Sequence, residues 1–513
     1  MNVKILCLQT KHFALFAIFS IAMQNSFMAT PGLAQETKSK EEANEKTPAK
    51  DDKKSDDKEK PKVTAIVGGD ILTVTREKIR RGTILISEGK ITALGKNIDI
   101  PEDAVRIDAS GKTITPGFIA INCSRVGLVS SSSRTDKYAD QLDPFDRNIS
   151  LSLGVGITTG CLQIRSGGGG PFRRFPDDSF PFTERFPGVD PDQFQLENAK
   201  EQTERDYGEF ISTCPCCGLP ILPTEPITPT RPTAITPQKN AVIKMSYGNL
   251  EGMLVGENVF LDVTPGSLTG AANQKKWREQ LEKARKYLED QEAHLKATAA
   301  GKKEKPPRKP VSDETLKLVK GEIALRIIAN TKSSIQDMVE LAKELDYRLV
   351  VDGAAEAWVM PQELAEAKVG VIMTPRRRRQ AVFGEEDSSG TWIEMPRVLE
   401  EAGVPFALTT LSSSISLNGL AGRDLTSLPL EAAFAVRGGA SDQKALEALT
   451  IAPARMLGLD DKIGSLEVGK DADILILNGN PLDYRTYVET ALVNGRVAYE
   501  RNKARVLPVY DPS

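Results

Sequence analysis

The sequence predicts an α/β protein: a (β/α)8 TIM barrel joined to a smaller β domain built from both ends of the chain. Three observations lead to this prediction. The middle of the chain alternates apolar strands with amphipathic helices, and its length suits a barrel. Short segments rich in Ile, Val and Thr lie on both sides of it. With 513 residues, the chain has room for both parts.

The first 34 residues have the pattern of a signal peptide. Lys4 and Lys11 precede an apolar stretch at 13–23, and small residues follow before Gln35. The stretch is short for a bilayer-spanning helix, which needs roughly 20 apolar residues, so we predict an exported, periplasmic or secreted protein without a membrane span. Residues 35–62 are almost wholly charged or polar, which predicts a disordered linker.

The β domain is predicted from residues 63–114 together with residues 459–513. The first segment contains three short runs rich in β-branched residues, separated by turn signals containing glycine. The second contains two more such runs, and Asn494-Gly495 between them is a strong hairpin signal. Because the two segments flank a long middle, one discontinuous domain is expected.

Residues 115–458 carry the alternating pattern of the barrel, with one interruption. SIQDMVELAKELD followed by YRLVVDG is an example of a helix and the strand after it. Between about 270 and 312 the sequence instead predicts a long charged helix with an apolar stripe that includes Trp277 and Leu281. This insertion either packs over the barrel or serves as a lid or partner-docking arm, and the sequence leaves both open.

Charge and cysteine content narrow the function classes. The chain has 67 basic and 70 acidic residues, a balance that gives no case for binding nucleic acid or an anionic membrane surface. Cys123 and Cys161 lie among apolar residues and are expected in the core. Cys214, Cys216 and Cys217 form a tight cluster, for which a disulfide in an oxidising compartment or a metal site are the two interpretations.

Three segments resemble the amidohydrolase superfamily. TPGFIAINCS at 115–124 resembles the segment that enters the barrel, and the run at 448–483 resembles the closing segment. The segment at 320–358 resembles the imidazolonepropionase-like branch. This resemblance implies a barrel with a composite β-sandwich, and hydrolysis of C–N bonds with zinc or another divalent metal held by histidines and an aspartate.

The residues at the family's metal-ligand positions are different in this chain. The mature sequence lacks the imidazoles for such a site, because the chain has two histidines, His12 in the predicted signal and His294 in the insertion. No metal cofactor is therefore expected. The positions that the resemblance assigns to former ligands are Asn122, Ser124, Ile328, Asn330, Gly353 and Leu411.

Other side chains remain as candidates for chemistry. Asp352 and Lys244 each follow an apolar run, where burial could shift the pKa of an acid or a base. A serine-rich loop, Ser412, Ser413, Ser414 and Ser416, has no histidine to activate a nucleophile, so it is expected to line a polar hollow.

Arginines supply a possible anion site. Arg376, Arg377, Arg378 and Arg379 directly follow a predicted strand, which places them at the top face of a barrel. Arg173 and Arg174 follow a glycine run. Arginine side chains suit carboxylate, sulfate or phosphate groups, although solvated loop charges are the alternative.

The sequence thus predicts a catalytically degenerate pseudoenzyme. Its role would be to bind a small molecule in the barrel mouth or to act as a scaffold, and a homo-oligomer is possible. The alternative is an active hydrolase of C–N bonds, on non-peptide or dipeptide-like substrates, with an altered site.

Overall fold

The computed structural model describes residues 63–128, 138–164, 239–301, 305–415 and 424–503. Several predictions fall outside these ranges: the signal peptide with His12, the charged linker, Arg173, Arg174, Cys214, Cys216, Cys217 and Ser416.

Strands from both ends of the chain share one sheet. Its eight strands are β1 Thr64–Ile71, β2 Ile79–Ser87, β3 Lys90–Gly95, β4 Val105–Asp108, β5 Thr113–Pro116, β15 Ile474–Leu477, β16 Val488–Val493 and β17 Arg496–Glu500. The strand order is β17-β16-β15-β5-β1-β2-β3, and β4 pairs with β1 in parallel. The antiparallel pairing of β15 with β5 therefore joins the two ends of the chain.

Asn494 and Gly495 form the predicted hairpin between β16 and β17. Both residues have positive φ, 49° and 72°, as a two-residue turn between antiparallel strands requires. The carbonyl of Ala472 accepts a hydrogen bond from the Gly495 N–H, which holds the turn against the segment that enters β15.

The middle of the chain forms two further sheets. The strands of the first are β6 Phe118–Cys123, β7 Ile157–Ile164, β8 Lys239–Lys244 and β9 Leu254–Glu257. Those of the second are β10 Phe260–Val263, β11 Ala324–Ala329, β12 Leu349–Gly353, β13 Gly370–Met373 and β14 Phe406–Leu408. The second sheet is parallel throughout, whereas β8 runs antiparallel to β7.

Helices follow most strands of the parallel sheet. The described α-helices are α1 Arg147–Gly154, α2 Ala271–Ala299, α3 Asp313–Val319, α4 Lys332–Leu345, α5 Pro361–Glu366, α6 Met395–Glu401, α7 Leu428–Arg437, α8 Asp442–Glu447 and α9 Ile451–Leu457. None of the helices in the described ranges is long and apolar enough to cross a bilayer.

Helix α4 shows how the sequence sets these boundaries. The Thr331 side chain accepts a hydrogen bond from the Ser334 N–H, and the Ser334 side chain accepts one from the Thr331 backbone, which forms a capping box. Its apolar face, including Met338 and Leu345, is buried. The helix ends where Asp346 adopts a left-handed conformation.

The insertion helix α2 is packed along its first half. Trp277 and Leu281 are fully buried, and the ring of Trp277 meets the ring of Tyr347 edge to face at 6.2 Å. Arg278 donates Nε and Nη2 to the two carboxylate oxygens of Glu344 on α4, both at 2.6 Å. This half therefore packs on the domain, and the lid or docking role stays a prediction for the remainder.

The mixed α/β class predicted from the sequence is confirmed. Closure of the barrel is not shown, because within the described ranges no ladder of strand pairing joins the four-stranded and five-stranded sheets. Individual bonds do cross between neighbouring parts: the Ile119 N–H donates to the Leu449 carbonyl, and the Ser124 N–H donates to the Ser413 carbonyl.

Candidate functional site

A buried arginine is the centre of the polar cluster between the two middle sheets. Arg326 on β11 is 2% exposed. It donates Nε to Oδ1 of Asp262 at 2.6 Å and Nη2 to Oδ2 at 2.7 Å. Asp262 and Arg326 are register partners on β10 and β11. The pairing of the strands therefore places the guanidinium opposite the carboxylate, where two parallel hydrogen bonds form. The Arg326 guanidinium also lies over the Phe260 ring, 4.4 Å from its centroid.

Two asparagines from the other sheet complete the group, which we call the Arg326 cluster: Asn122, Asn240, Asp262, Arg326 and Asp352. Asn122 on β6 accepts a bond from Arg326 Nη1 at 3.0 Å and donates Nδ2 to Asp352 Oδ2 at 2.9 Å. Asn240 on β8 donates Nδ2 to Asp262 Oδ2 at 3.0 Å. The cluster therefore connects strands of both sheets through side chains.

Burial and charge set the ionisation of this cluster. Burial alone would lower the pKa of Arg326, but the Asp262 carboxylate outweighs it and raises that pKa above its ordinary value. Burial raises the pKa of Asp352, although the Arg326 charge and the Asn122 hydrogen bond act in the opposite direction. Burial also raises the pKa of the neighbouring Cys161 thiol to about 11. Cys161 therefore stays protonated at neutral pH.

Side chains alternate along β11, so Arg326 and Ile328 face the same side of the sheet. Ile328 is the register partner of Asp352 on β12. Ile328 is 46% exposed, whereas Asp352 is 8% exposed. The side of the sheet that carries the Arg326 cluster thus becomes accessible at Ile328, a position that the resemblance assigned to a former metal ligand.

Two more of these positions, Asn330 and Gly353, lie against each other. Gly353 has φ +89°, and a Cβ on it would lie 2.5 Å from the Asn330 Oδ1. That buried oxygen accepts no hydrogen bond from the described residues. A buried acceptor without a partner is unusual, which makes Asn330 a point where a ligand donor would be stabilised.

The remaining two positions, Ser124 and Leu411, lie at or near the loop after β14. Ser124, just beyond β6, lies 2.9 Å from Ser413 between hydroxyl oxygens. Thr410 donates to the Ser412 carbonyl at 2.7 Å, and Ser412 and Ser414 are 3.3 Å apart between hydroxyl oxygens. These hydroxyls bond to one another and to backbone. Leu411 is partly exposed in the same loop.

The four arginines after β13 do not converge on one point. Arg376 donates to buried Glu431 at 2.6 Å, and Arg379 donates to Glu356 at 2.8 Å. Arg378 is exposed. The charge of Arg377 lowers the pKa of Asp352. Salt bridges thus pair Arg376 and Arg379 with carboxylates, and anion binding by the four arginines stays a prediction.

Lys244 lies at the end of a buried strand, β8, as its position after an apolar run predicted. Because β8 runs antiparallel to β7, its last residue pairs with Thr159 near the start of β7. Lys244 is 1% exposed and contacts Asp471 at 2.7 Å, Asp473 at 3.1 Å and Asn494. Asp352 and Lys244 thus belong to separate clusters, and nothing in the local sequence indicates that β8 runs antiparallel.

Comparison with known proteins agrees with this architecture. The sequence model of the amidohydrolase family matches residues 320–504. Imidazolonepropionase from Vibrio cholerae is 35% identical over 75 residues, which are 15% of this chain and 18% of that protein. The alignment therefore spans under a fifth of the curated relative. An amidohydrolase structure from Thermotoga maritima MSB8 aligns with 85% of this chain and 100% of its own, at 21% identity and a TM-score of 0.56.

Residues 320–504 thus match the amidohydrolase family by sequence. The curated relative agrees with this match over a short segment, and the Thermotoga maritima structure supports the fold.

The donors near the amidohydrolase metal positions do not fit a divalent ion. Asp352 accepts a hydrogen bond from the amide of Asn122, and the charges of Arg326 and Arg377 act on it. The Asp262 carboxylate, whose charge also acts on Asp352, is paired with Arg326. Both Asp262 oxygens already accept from Arg326. Within the described ranges, no three His, Cys, Asp or Glu side chains are grouped as a metal site requires. His294 lies on α2, partly exposed.

Sequence reasoning missed Arg326, Asp262 and Asn240. A signal was present: the apolar strands ALRIIA and FLDV each contain one charged residue, and charged residues are seldom fully buried unless paired. Reading the two strands as neighbours would have paired them.

Proposed function

We propose that this protein is an exported amidohydrolase-like pseudoenzyme that binds a small molecule without a metal. One observation carries the proposal: the Arg326 guanidinium provides the fixed positive charge beside Asp262, Asn122 and Asp352. In the superfamily, a metal provides positive charge at the site. A second cation beside this guanidinium would be repelled.

The binding site would be the mouth of a closed (β/α)8 barrel formed by the two middle sheets, with the eight-stranded sheet as part of a composite β-sandwich. Support comes from the hydrogen bonds of Asn122 and Asn240, which cross from the four-stranded sheet to the five-stranded sheet. A closed arrangement directs these side chains inward and leaves Ile328 at the opening.

The ligand would carry an anionic group. Arg377 supports an anionic ligand for two reasons. Its charge lowers the pKa of Asp352, and its buried Nε has no hydrogen-bond acceptor among the described residues. The Asn330 Oδ1 would accept a hydrogen bond from the same molecule, and Ile328 would supply an apolar contact. A carboxylate on a small apolar or amide-containing molecule meets these requirements.

An active hydrolase of C–N bonds is the second candidate function. Asp352 favours it, because a buried carboxyl group with a raised pKa beside an accessible position has the properties of a general acid. Such an enzyme would work on non-peptide or dipeptide-like substrates without the family's metal.

Elemental analysis of the purified mature protein distinguishes the proposals. The pseudoenzyme predicts substoichiometric zinc, iron, manganese, nickel and cobalt, and no hydrolysis of dipeptides or cyclic amides before or after metal addition. Stoichiometric metal, with activity that a chelator abolishes, would overturn it. Activity without metal that is lost in Asp352→Asn and kept in Asp346→Asn, a change in an exposed residue, would establish the hydrolase instead.

Export and assembly are further parts of the proposal. We propose that residues 1–34 direct export and that residues 35–62 tether the domain. Mass spectrometry of the N-terminus after secretion from a bacterial host tests the cleavage near Gln35. Light scattering tests the homo-oligomer, and deletion of residues 273–310 tests a scaffold role of α2.

A further inference from the structure

The amine of Lys244 lies in a buried pocket against a side-chain amide. Its Nζ donates to the Asn494 side-chain carbonyl oxygen, to Asp471 Oδ2 at 2.7 Å and to Asp473 Oδ1 at 3.3 Å. Lys244 is 1% exposed and Asp473 is 6% exposed. The pocket brings an amine, a carboxamide and a carboxyl group together away from bulk water.

Three chain segments fix this arrangement. Lys244 ends β8, Asp473 directly precedes β15, and Asn494 occupies the first position of the hairpin turn. The Asn494 N–H donates to Asp473 Oδ1 at 2.9 Å, so one carboxyl group touches both the amine and the residue that carries the amide. The backbone therefore holds the two potential reactants in contact.

We propose that Lys244 and Asn494 form an intramolecular isopeptide bond without an external catalyst. The Asp473 carboxylate takes one proton from the Lys244 ammonium, and the freed Nζ attacks Cγ of Asn494, so that the Nζ–Cγ bond forms and the Cγ–Nδ2 bond breaks. Asp473 passes this proton, and then the second proton that Nζ loses, to the departing nitrogen, which leaves as ammonium while Asp473 returns to a carboxylate. No oxidant, reductant or co-reactant is needed, and the product is a Lys–Asn amide that links β8 to the hairpin.

Asp473 is the suitable proton carrier of the two aspartates. Its Oδ2 is buried and accepts no hydrogen bond, although it lies 3.1 Å from Lys244 Nζ, and burial raises the pKa of its carboxyl. Asp471 is partly exposed and also pairs with Lys90 at 3.0 Å. Burial alone would raise the pKa of Asp471, but the hydrogen bond and charge of Lys244 outweigh burial and lower it. Asp471 thus stabilises the charged amine and slows the reaction, whereas Asp473 carries protons for the reaction.

Proximity supports the chemistry in a second way. Contact in a fixed geometry replaces the encounter of two separate molecules, which accelerates intramolecular reactions strongly. The alternative for the same pocket is a buried ion pair without a covalent bond.

Intact mass spectrometry of the full chain, purified under denaturing conditions, decides between them. A bond predicts a mass lower than the sequence mass by one ammonia molecule, and a branched peptide containing Lys244 and Asn494 after digestion. The full sequence mass without the branched peptide overturns the proposal, as does conversion of Asn494 to aspartate by water. This measurement does not depend on any variant folding.

Variants then test the assigned roles. Lys244→Arg and Asp473→Asn are expected to abolish the mass loss, and the linked chain should migrate faster than either in denaturing electrophoresis. Asp471→Asn should keep the bond and form it faster in a pulse-chase experiment. Lys90→Arg, which changes only the outer partner of Asp471, is the matched control and should keep the bond. Loss of the bond in Lys90→Arg or its persistence in Lys244→Arg would contradict the assignment.

Discussion

Asn122 donates its side-chain amide to Asp352 across 2.9 Å, and this bond joins the end of β6 to β12. By resemblance, Asn122 stands at a metal-ligand position, and Asp352 neighbours another, Gly353. In this chain a neutral amide and the Arg326 guanidinium satisfy the Asp352 carboxyl. The Asp352 carboxyl thus pairs with an amide and lies near a guanidinium rather than a metal.

The first prediction concerns the pair at the centre of this cluster. Arg326→Met leaves Asp262 buried without a counter-charge, and we expect a loss of about 3–5 kcal/mol in the free energy of unfolding. Arg278→Met removes the exposed pair with Glu344 and should cost about 0.2–1 kcal/mol. Urea denaturation monitored by circular dichroism measures both. Equal, small losses in the two variants would show that Asp262 and Arg326 are not buried as described.

The second prediction follows from the pKa of Asp352. Burial raises that pKa above the ordinary aspartate value of about 3.9, so the folded state holds the proton more tightly than the unfolded state. The resulting stability is fully present below that ordinary value and is lost as the pH rises through the folded pKa.

Asp352→Asn removes this titration, while the amide oxygen that replaces the carboxylate still accepts the hydrogen bond from Asn122. The stability of the unmodified chain relative to this variant should therefore decrease as the pH rises above the ordinary aspartate pKa of about 3.9. Denaturation midpoints at several pH values measure the difference in stability between the two proteins. The other titrating groups contribute equally to both proteins, so their effect drops out of this difference. A difference that grows in favour of the unmodified chain as the pH rises would mean that the folded pKa of Asp352 is lowered.

Local sequence signals predicted much of the fold. The Asn494-Gly495 turn, the strands of both terminal segments and the alternation of strand and helix around α4 depend on neighbouring residues, and the structure has them. The α/β class follows from that alternation. The absence of the family's histidines could also be read directly, because it depends only on composition.

The candidate site depends on contacts between strands and side chains that are far apart in the sequence, and local sequence signals do not predict such contacts. The antiparallel direction of β8 places Lys244 in a different cluster from Asp352, and no turn signal within the run AVIKM indicates that direction. Local signals also do not reveal the partners of Arg376 and Arg379, because Glu431 and Glu356 are 55 and 23 residues away along the chain. Only the folded structure shows which charged side chains already take part in salt bridges.

The third prediction tests Arg377 as the anion anchor of the proposed binding site. Thermal shift assays with a panel of small carboxylates, run with chloride at matched ionic strength, should find compounds that raise the melting temperature of the unmodified protein. Arg377→Gln should remove that stabilisation, because the carboxylate loses its charged donor. Arg378→Gln changes an exposed neighbour and should leave it intact. Equal loss in both variants would indicate a general charge effect.

The fourth prediction separates strain from contact at Gly353. Gly353→Ala places a Cβ 2.5 Å from Asn330 Oδ1 at φ +89°, whereas Gly469→Ala meets open space at φ +92°. Both variants adopt an unfavourable backbone, at a cost of about 1–3 kcal/mol. The first should lose more stability because Asn330 must also move, and adding Asn330→Ala should remove the excess. Chemical denaturation measures these differences, and equal losses in the two single variants would exclude the contact.

The fifth prediction asks whether α2 is part of the folded domain. Trp277 is fully buried and lies edge to face with Tyr347, so Trp277→Ala should cost about 3–5 kcal/mol through lost burial and a cavity. Leu295, on the same helix, is 63% exposed, and Leu295→Ala should change stability by at most about 0.5 kcal/mol. Urea denaturation followed by circular dichroism measures both variants without depending on tryptophan fluorescence. If Trp277→Ala were as harmless as Leu295→Ala, α2 would be an independent arm, and the partner-docking interpretation would replace the packed one.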